Sequence, residues 1–421
     1  GKNEANEAVK ESGEDENEGT GDTKDADSKK DTNRKSDKQD SDKRDENSEE
    51  SETTEAPEEN LDKVGVLLPE EGEDINSSLE RTELKTRLEE AGYEAAMYFA
   101  GDDSDTQAEQ IRELLQDEKL KALVISPVDP YGLTDVLEEA SELSIPVIDY
   151  DNLIMDTPNV KYFVTFNMRA IGKEIAKNIV EKEELDKVRE DRGARTIEFL
   201  MGSPDDRDAL FFYNGVMEKL QEYFDDGTLV CTSGKLTFDD TAVMRSGRNT
   251  AKNDMAEILS QNYTEGAPDI ICTGADDLAL GAVDALEDAG HVSGEDGWPM
   301  ITGGGCEAEA VTAAIQGKIE DDLLFDNRVL AHDCVTMVDA LLKGEKPEIS
   351  DYEQYDNGTK IVGTVTSDIQ LIDADNYQML VDDGYYEEEE IMPEATATPT
   401  PTVTSEATVT EEPDIDENTP E

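Results

Sequence analysis

The sequence predicts an α/β protein of two lobes, each a doubly wound parallel sheet, set between two tails that cannot build a core. Three observations predict it. Short apolar runs alternate with segments of helical spacing through about 62–391. The alternation falls into two successive series, one ending near 166 and the next near 325. The apolar residues are concentrated in that middle part, although they make up only 36% of the whole chain. Short apolar strands separated by helices imply parallel sheets covered on both faces. A core of roughly 330 residues is enough for two lobes of ordinary size.

The first series opens with the apolar run Val64–Leu68, followed by helical spacing over 77–91 that stops at Gly92, a C-capping residue. Strand Ala95–Phe99, helix 105–117, strand Ala122–Ser126, helix 132–143 and strands Val147–Tyr150 and Tyr162–Phe166 complete it. The second series runs helix 169–182, strand Thr196–Met201, helix 207–224, strand Thr228–Cys231, helix 241–260, strand Ile270–Thr273 and helix 277–289. It closes with strand Met300–Gly303, helix 307–316 and strand Asp322–Phe325. Helix 328–343 and strand material at 360–372 come last.

Segment 1–61 is rich in Glu, Asp, Lys, Ser and Asn without apolar periodicity, and 392–421 is rich in Thr, Pro and Glu. Neither buries enough surface to offset ordering entropy, so both are expected to be disordered spacers. The formal net charge of −68 argues against a nucleic-acid partner and against direct adsorption to anionic lipid. The four cysteines, Cys231, Cys272, Cys306 and Cys334, form no CxxC pair, and with only two histidines they do not suggest zinc. They read as small buried apolar residues, with a disulfide left open. No apolar run is long enough to span a membrane, and Gly1 in place of Met reads as a processed start. No P-loop, GxGxxG, GxSxG or HExxH is present, so the sequence offers no enzyme motif and no cofactor is expected.

In open α/β sheets, ligands sit beyond the carboxyl ends of the strands. The residues there include Tyr131, Asp151, Asn152, Asp206, Arg207, Asp208, Asp276 and Phe325. Carboxylates and amides suit a neutral polyol, because each hydroxyl finds an acceptor or donor, and an aromatic ring covers the apolar face of a sugar. Each Asp also has a second reading as a helix N-cap that needs no ligand. Tyr131 and Phe325 are read either as the stacking surface or as core of their lobes. Trp298 lies ahead of its strand, away from the cleft, and Phe211, Phe212 and Tyr213 read as the core of a helix.

The stretches ALVISPVDP (122–130), VIDYDNLI (147–154), GSPDDRDALFFYNG (202–215) and LVDDGYYEEEEI (380–391) resemble the type I periplasmic solute-binding proteins of ABC transporters, in particular the xylose and galactose/multiple-monosaccharide branch. The resemblance spans nearly all of 62–391. It implies two Rossmann-like lobes joined by three hinge crossovers near 166, 327 and 358, with lobe 1 at 62–166 plus 328–358 and lobe 2 at 167–327 plus 359–391. On this resemblance Asp151 matches the family's Asp after the fourth strand, Asp205 and Asp206 its SPDD turn, and Asp276 its Asp or Asn in the second lobe. The chain departs from the family at Asn76-Ser77, where an Arg–aromatic pair is common, and the resemblance puts Asn76 there as a ligand-binding candidate. Asn152 replaces a basic residue, Arg207-Asp208 replace amides, Gly305 replaces an Asp, and Phe325 replaces a polar residue.

The resemblance further implies capture of a monosaccharide, a pentose or hexose, and its delivery to an ABC transporter permease. It implies a monomer at the extracellular face of the membrane, tethered by a lipid-bearing cysteine ahead of Gly1. Two other functions fit the same residues: a sugar sensor presenting its closed form to a membrane receptor, or a core that has lost its ligand and serves as a surface interaction module.

Overall fold

The computed structural model describes residues 61–392, so all but the inner end residue of each tail lies outside the described residues. In chain order the elements are β1 (Lys63–Leu68), α1 (Ile75–Glu90), β2 (Glu94–Phe99), α2 (Ser104–Leu114), β3 (Leu120–Ile125), α3 (Thr134–Glu142), β4 (Val147–Tyr150) and β5 (Val160–Phe166). Then come α4 (Met168–Lys182), α5 (Leu185–Glu190), β6 (Arg195–Phe199), α6 (Arg207–Asp225), β7 (Leu229–Val230), α7 (Phe238–Thr241), α8 (Arg248–Asn262), β8 (Ile270–Cys272) and α9 (Asp276–Asp288). The chain closes with β9 (Met300–Ile301), α10 (Ala308–Ile315), β10 (Asp322–Leu324), α11 (Asn327–Leu342), β11 (Thr364–Ser367), β12 (Gln370–Ile372), α12 (Gln378–Asp382) and α13 (Glu388–Ile391).

The first sheet has the order β11-β5-β4-β3-β1-β2, parallel throughout. Both faces are buried, which is why its strands are nearly continuous apolar runs rather than alternating ones. Val64 and Val66 on one face pack with Leu84 and Leu88 of α1 and with Leu330 and Val335 of α11. Leu67 and Ile125 on the other pack with Ile111 of α2 and with Val136 and Leu137 of α3. The second sheet repeats the order as β7-β6-β8-β9, also parallel. A parallel bridge from Thr302 to Asp321 leads on to β10, which pairs antiparallel with β12.

The chain passes from the first sheet to α4 of the second lobe at Asn167, and returns from β10 to α11 at 325–326. The third passage corrects the expectation of a crossover near 358. Thr364–Ser367 lies in register with Phe163–Phe166, so it completes the first sheet and the chain leaves only at 368–369. The β-branched run 364–366 belongs to lobe 1, whereas the sequence reading took 360–372 as one block. Helix 241–260 is also corrected. It is broken at 242–247, where Arg245 and Ser246 take left-handed φ of 58° and 48°.

Helices α4 and α6 meet backbone to backbone on the second sheet. A Cβ on Gly172 would collide with the carbonyl oxygen of Phe212, and one on Gly215 with the carbonyl oxygen of Arg169. Neither clash can be relieved by a side-chain rotation. Gly172→Ala or Gly215→Ala is therefore expected to destabilise the protein by about 1–3 kcal/mol, the usual range for overpacking. Thermal unfolding checks this, with Gly227→Ala, where a Cβ meets nothing within 4 Å but φ is +81°, as the comparison for backbone strain alone.

Candidate functional site

The turn after β4 is built from within. Asp149 is fully buried and accepts the backbone N–H of Ile154 at 2.6 Å. Burial holds its carboxyl well above the ordinary range, and its bond to Ile154 pins the turn. The fully buried Asn357 donates to the carbonyls of Ile154 and Thr157 at 3.2 and 2.8 Å, tying the segment ahead of β11 to the same turn. Held between them, Asp151 adopts φ of 70°, a left-handed conformation that Asp tolerates better than most residues. Its side chain and that of Asn152 line the cleft.

The facing wall comes from the start of α6. Asp206 caps the helix, accepting the N–H groups of Asp208 and Ala209 at 2.9 and 3.3 Å. The cap and the ligand readings of this Asp are thus both realised, since Asp206 also lines the cavity with Asp205, Arg207 and Asp208. Arg207 reaches across to lobe 1, where its Nη1 lies 3.1 Å from Met155 Sδ, and its guanidinium stands 5.7 Å from the Phe211 ring centre. The cavity between these walls measures about 270 Å³.

An aromatic wall completes it. Tyr355 packs edge-on against Phe163 at 5.4 Å and against Phe211 of the other lobe at 6.3 Å, and all three rings border the cavity. The sequence reading missed Tyr355, which carries no strand or helix signal, and it assigned Phe211 to helix core. Phe212 is the buried one, and Phe211, one position earlier, turns toward lobe 1. Tyr131 stands at the rim, 60% exposed.

Three expected residues do not line this cavity, for reasons of local bonding. Asn76 donates to the Phe325 carbonyl at 2.9 Å and accepts from the Asn327 N–H at 3.2 Å, tying α1 to the second crossover. Phe325 packs edge-on against Phe166 at 5.4 Å, sealing the hinge. Asp276, 3% exposed, accepts the N–H groups of Gly304 and Glu307 at 3.0 and 2.7 Å and so holds the 303–305 glycine turn. It also stands beside the carboxyl of Asp322, which is fully buried. Burial, and for Asp322 the nearness of Asp276, keeps both above the ordinary range. Three cysteines are buried and Cys231 is half-buried, all of them free thiols, and Trp298 packs in the second lobe with its indole N–H on the Lys318 carbonyl at 3.0 Å.

The cleft carboxyls raise one another. Burial, then the facing Asp151 and the neighbouring Asp206, push Asp208 up to about 7 against the pull of Arg207. Burial is also the main cause at Asp151 and at Glu80 of α1, which is pushed up to about 7 while accepting the Tyr150 hydroxyl at 2.7 Å. Asp205, by contrast, is held below its ordinary range by the Ser203 hydroxyl.

Two parallel-sheet lobes closing on a polar cavity define a cleft-binding protein. Residues 64–346 match the family model described as the periplasmic binding protein domain, and the chain belongs to that family. It is similar to the multiple sugar-binding periplasmic receptor ChvE of Rhizobium radiobacter, 35% identical over 306 residues that cover 72% of this chain and 85% of that one. It is likewise similar to the multiple sugar-binding periplasmic protein SbpA of Azospirillum brasilense, 35% identical over 298 residues, 70% of this chain and 82% of that one. Among solved structures it is similar to an ABC transporter solute-binding protein from Clostridium phytofermentans with bound β-D-glucose. That pair has 34% identity and a TM-score of 0.66, covering 78% of this chain and 99% of the other. A carbohydrate transporter solute-binding protein from Chloroflexus aurantiacus in complex with D-glucose follows at 26% identity and a TM-score of 0.60, covering 78% and 97%.

Two predictions follow from these carboxyls. Asp208 holds its proton to about pH 7 in this form, whereas in an unfolded chain it releases it near 3.8. Its burial therefore costs stability progressively as the pH rises from about 4 to about 7. Asp208→Asn is expected to flatten that part of the melting-temperature profile, measured by thermal unfolding across the range. For Asp322, whose carboxyl burial also raises well above its ordinary range, the melting temperature of Asp322→Asn relative to the parent is expected to improve as the pH rises from about 5 to about 8. A difference that stays constant with pH would count against the raised Asp322 carboxyl.

Proposed function

We propose that this protein captures a monosaccharide, a pentose or hexose, in the interlobe cleft and delivers it to the permease of an ABC transporter. The observation that carries the proposal is the cavity itself. Carboxylates and an amide from both lobes converge on it, with an aromatic wall on one side, in a fold whose relatives are named for sugars. Asp151, Asp206 and Asp208 accept hydroxyl protons, Asn152 both donates and accepts, and Arg207 donates to hydroxyl or ring oxygen. Phe211 and Tyr355 cover the apolar ring face, with Tyr131 at the mouth. Closure brings the two sets of partners together, and the closed shape is what a permease would read.

The role is binding rather than catalysis, by a monomer on the extracytoplasmic side of the membrane, held there by an N-terminal lipid anchor with the acidic segment 1–61 as spacer. A sensory variant, in which the closed form addresses a membrane receptor, is favoured by one observation: ChvE is itself named a receptor.

Thermal-shift scanning with D-glucose, D-galactose and D-xylose tests the reading. A sugar at 100 times its Kd stabilises the fold by about 2.7 kcal/mol. Asp151→Ala is expected to abolish the shift while the unliganded protein still melts cooperatively. A folded protein that responds to none of a broad panel of pentoses, hexoses and short oligosaccharides would overturn the proposal.

A further inference from the structure

The charge of the cleft bears on which sugars it takes, an inference that rests on the sugar-binding reading above. The charged side chains lining the cavity are the carboxylates Asp151, Asp205, Asp206 and Asp208 and a single cation, Arg207. Behind Asp151 stands a further carboxyl, Glu80, bonded to Tyr150. Two other arginines among the described residues are engaged elsewhere. Arg328 donates to both oxygens of Asp326 at 2.9–3.2 Å and to the Asp383 carbonyl at 2.9 Å, and Arg81 donates to the Gly72 carbonyl at 3.1 Å.

We infer that the cleft admits uncharged sugars and turns away the same sugars when they carry a carboxylate. A hydroxyl brings a proton to share with Asp151 or Asp208, so for a neutral sugar the acidic lining is a set of acceptors. A uronate brings another negative charge into a partly buried space between Asp151 on one lobe and Asp206 and Asp208 on the other, where like charges repel more than in water. The lining shows the strain of its own charges, since Asp208 is pushed up to about 7 by burial and by Asp151 and Asp206, with Arg207 opposing and Tyr355 alongside. The competing possibility is that Arg207 is a carboxylate receptor, because a guanidinium fork matches that geometry. Against it, the guanidinium lies over Phe211 and against Met155, with Asp206 and Asp208 as its sequence neighbours.

Isothermal titration calorimetry of the full chain decides between them, with D-glucose, D-galactose, D-glucuronate and D-galacturonate at about pH 8, where Asp208 is mostly ionised. Each uronate is expected to bind at least tenfold more weakly than its parent hexose, about 1.4 kcal/mol. The gap is expected to narrow at about 0.5 M salt and to narrow severalfold in Asp208→Asn. A uronate binding as tightly as its parent would overturn the inference and make Arg207 the receptor. So would a gap indifferent to both salt and Asp208→Asn, which would mark steric exclusion. Failure of all four to bind, with no response to any sugar of the thermal-shift panel, would remove this inference and the sugar-binding reading together, whereas tight binding of hexose and uronate alike would remove this one alone.

Discussion

Three passages of chain join the lobes, and backbone pairing lays them side by side: β11 runs against β5, and β12 against β10. A joint made of adjacent extended segments has few torsions to change, so the lobes can pivot about it but not slide freely. Phe166 and Phe325 fill the joint, and Asn76 fastens α1 of the first lobe to the second crossing. Because the pivot is fixed on one side, the turns after β4 and β6 are brought face to face on the other. The position of the cleft and the identity of its walls both depend on this joint.

Closing such a cleft brings carboxylates toward one another, which water would otherwise screen. Asp151 approaches Asp206 and Asp208 from the opposite lobe, and only Arg207 lies among them. Polar groups taken from water without partners are costly. A ligand rich in hydroxyl donors supplies those partners at the moment of closure, and that differential contact is what a closed form needs to be favoured by binding.

Much of this was legible in the sequence. The alternation of apolar strands and helices locates both sheets, and the rule that ligands lie beyond strand ends finds Asp151, Asn152 and the Asp206–Asp208 turn. The same rule also finds Asp276 and Phe325, and the family resemblance adds Asn76; the fold uses all three internally, because a strand-end position reveals exposure to the cleft only once its neighbours are known. Asp276 faces two backbone N–H groups and the carboxyl of Asp322, all set by the glycine turn and β10, and none of these is adjacent to it in sequence. Phe211 shows the opposite failure. Helical periodicity marks the run 211–213 as apolar, but the side each ring faces depends on where lobe 1 sits, and lobe 1 meets α6 only across the hinge. Tyr355 lies in a loop, where periodicity says nothing.

The distribution of groups between the lobes has a consequence for affinity. The positions after β8, β9 and β10 are committed to the lobe's own turns, so the second lobe meets the cavity mainly through the first turns of α6. Lobe 1 supplies the rest of the lining, from the turn after β3, the pinned turn after β4 and Tyr355 ahead of β11. A ligand seated on lobe 1 alone therefore lacks Arg207, two of the acceptors and the Phe211 ring until the lobes close. When a full set of contacts exists only in one of two forms, the observed affinity is the intrinsic one reduced by the fraction of protein in that form. Asn76 and Phe325 make their contacts at the joint and not in the cavity, so they bear on binding only through the balance between the two forms.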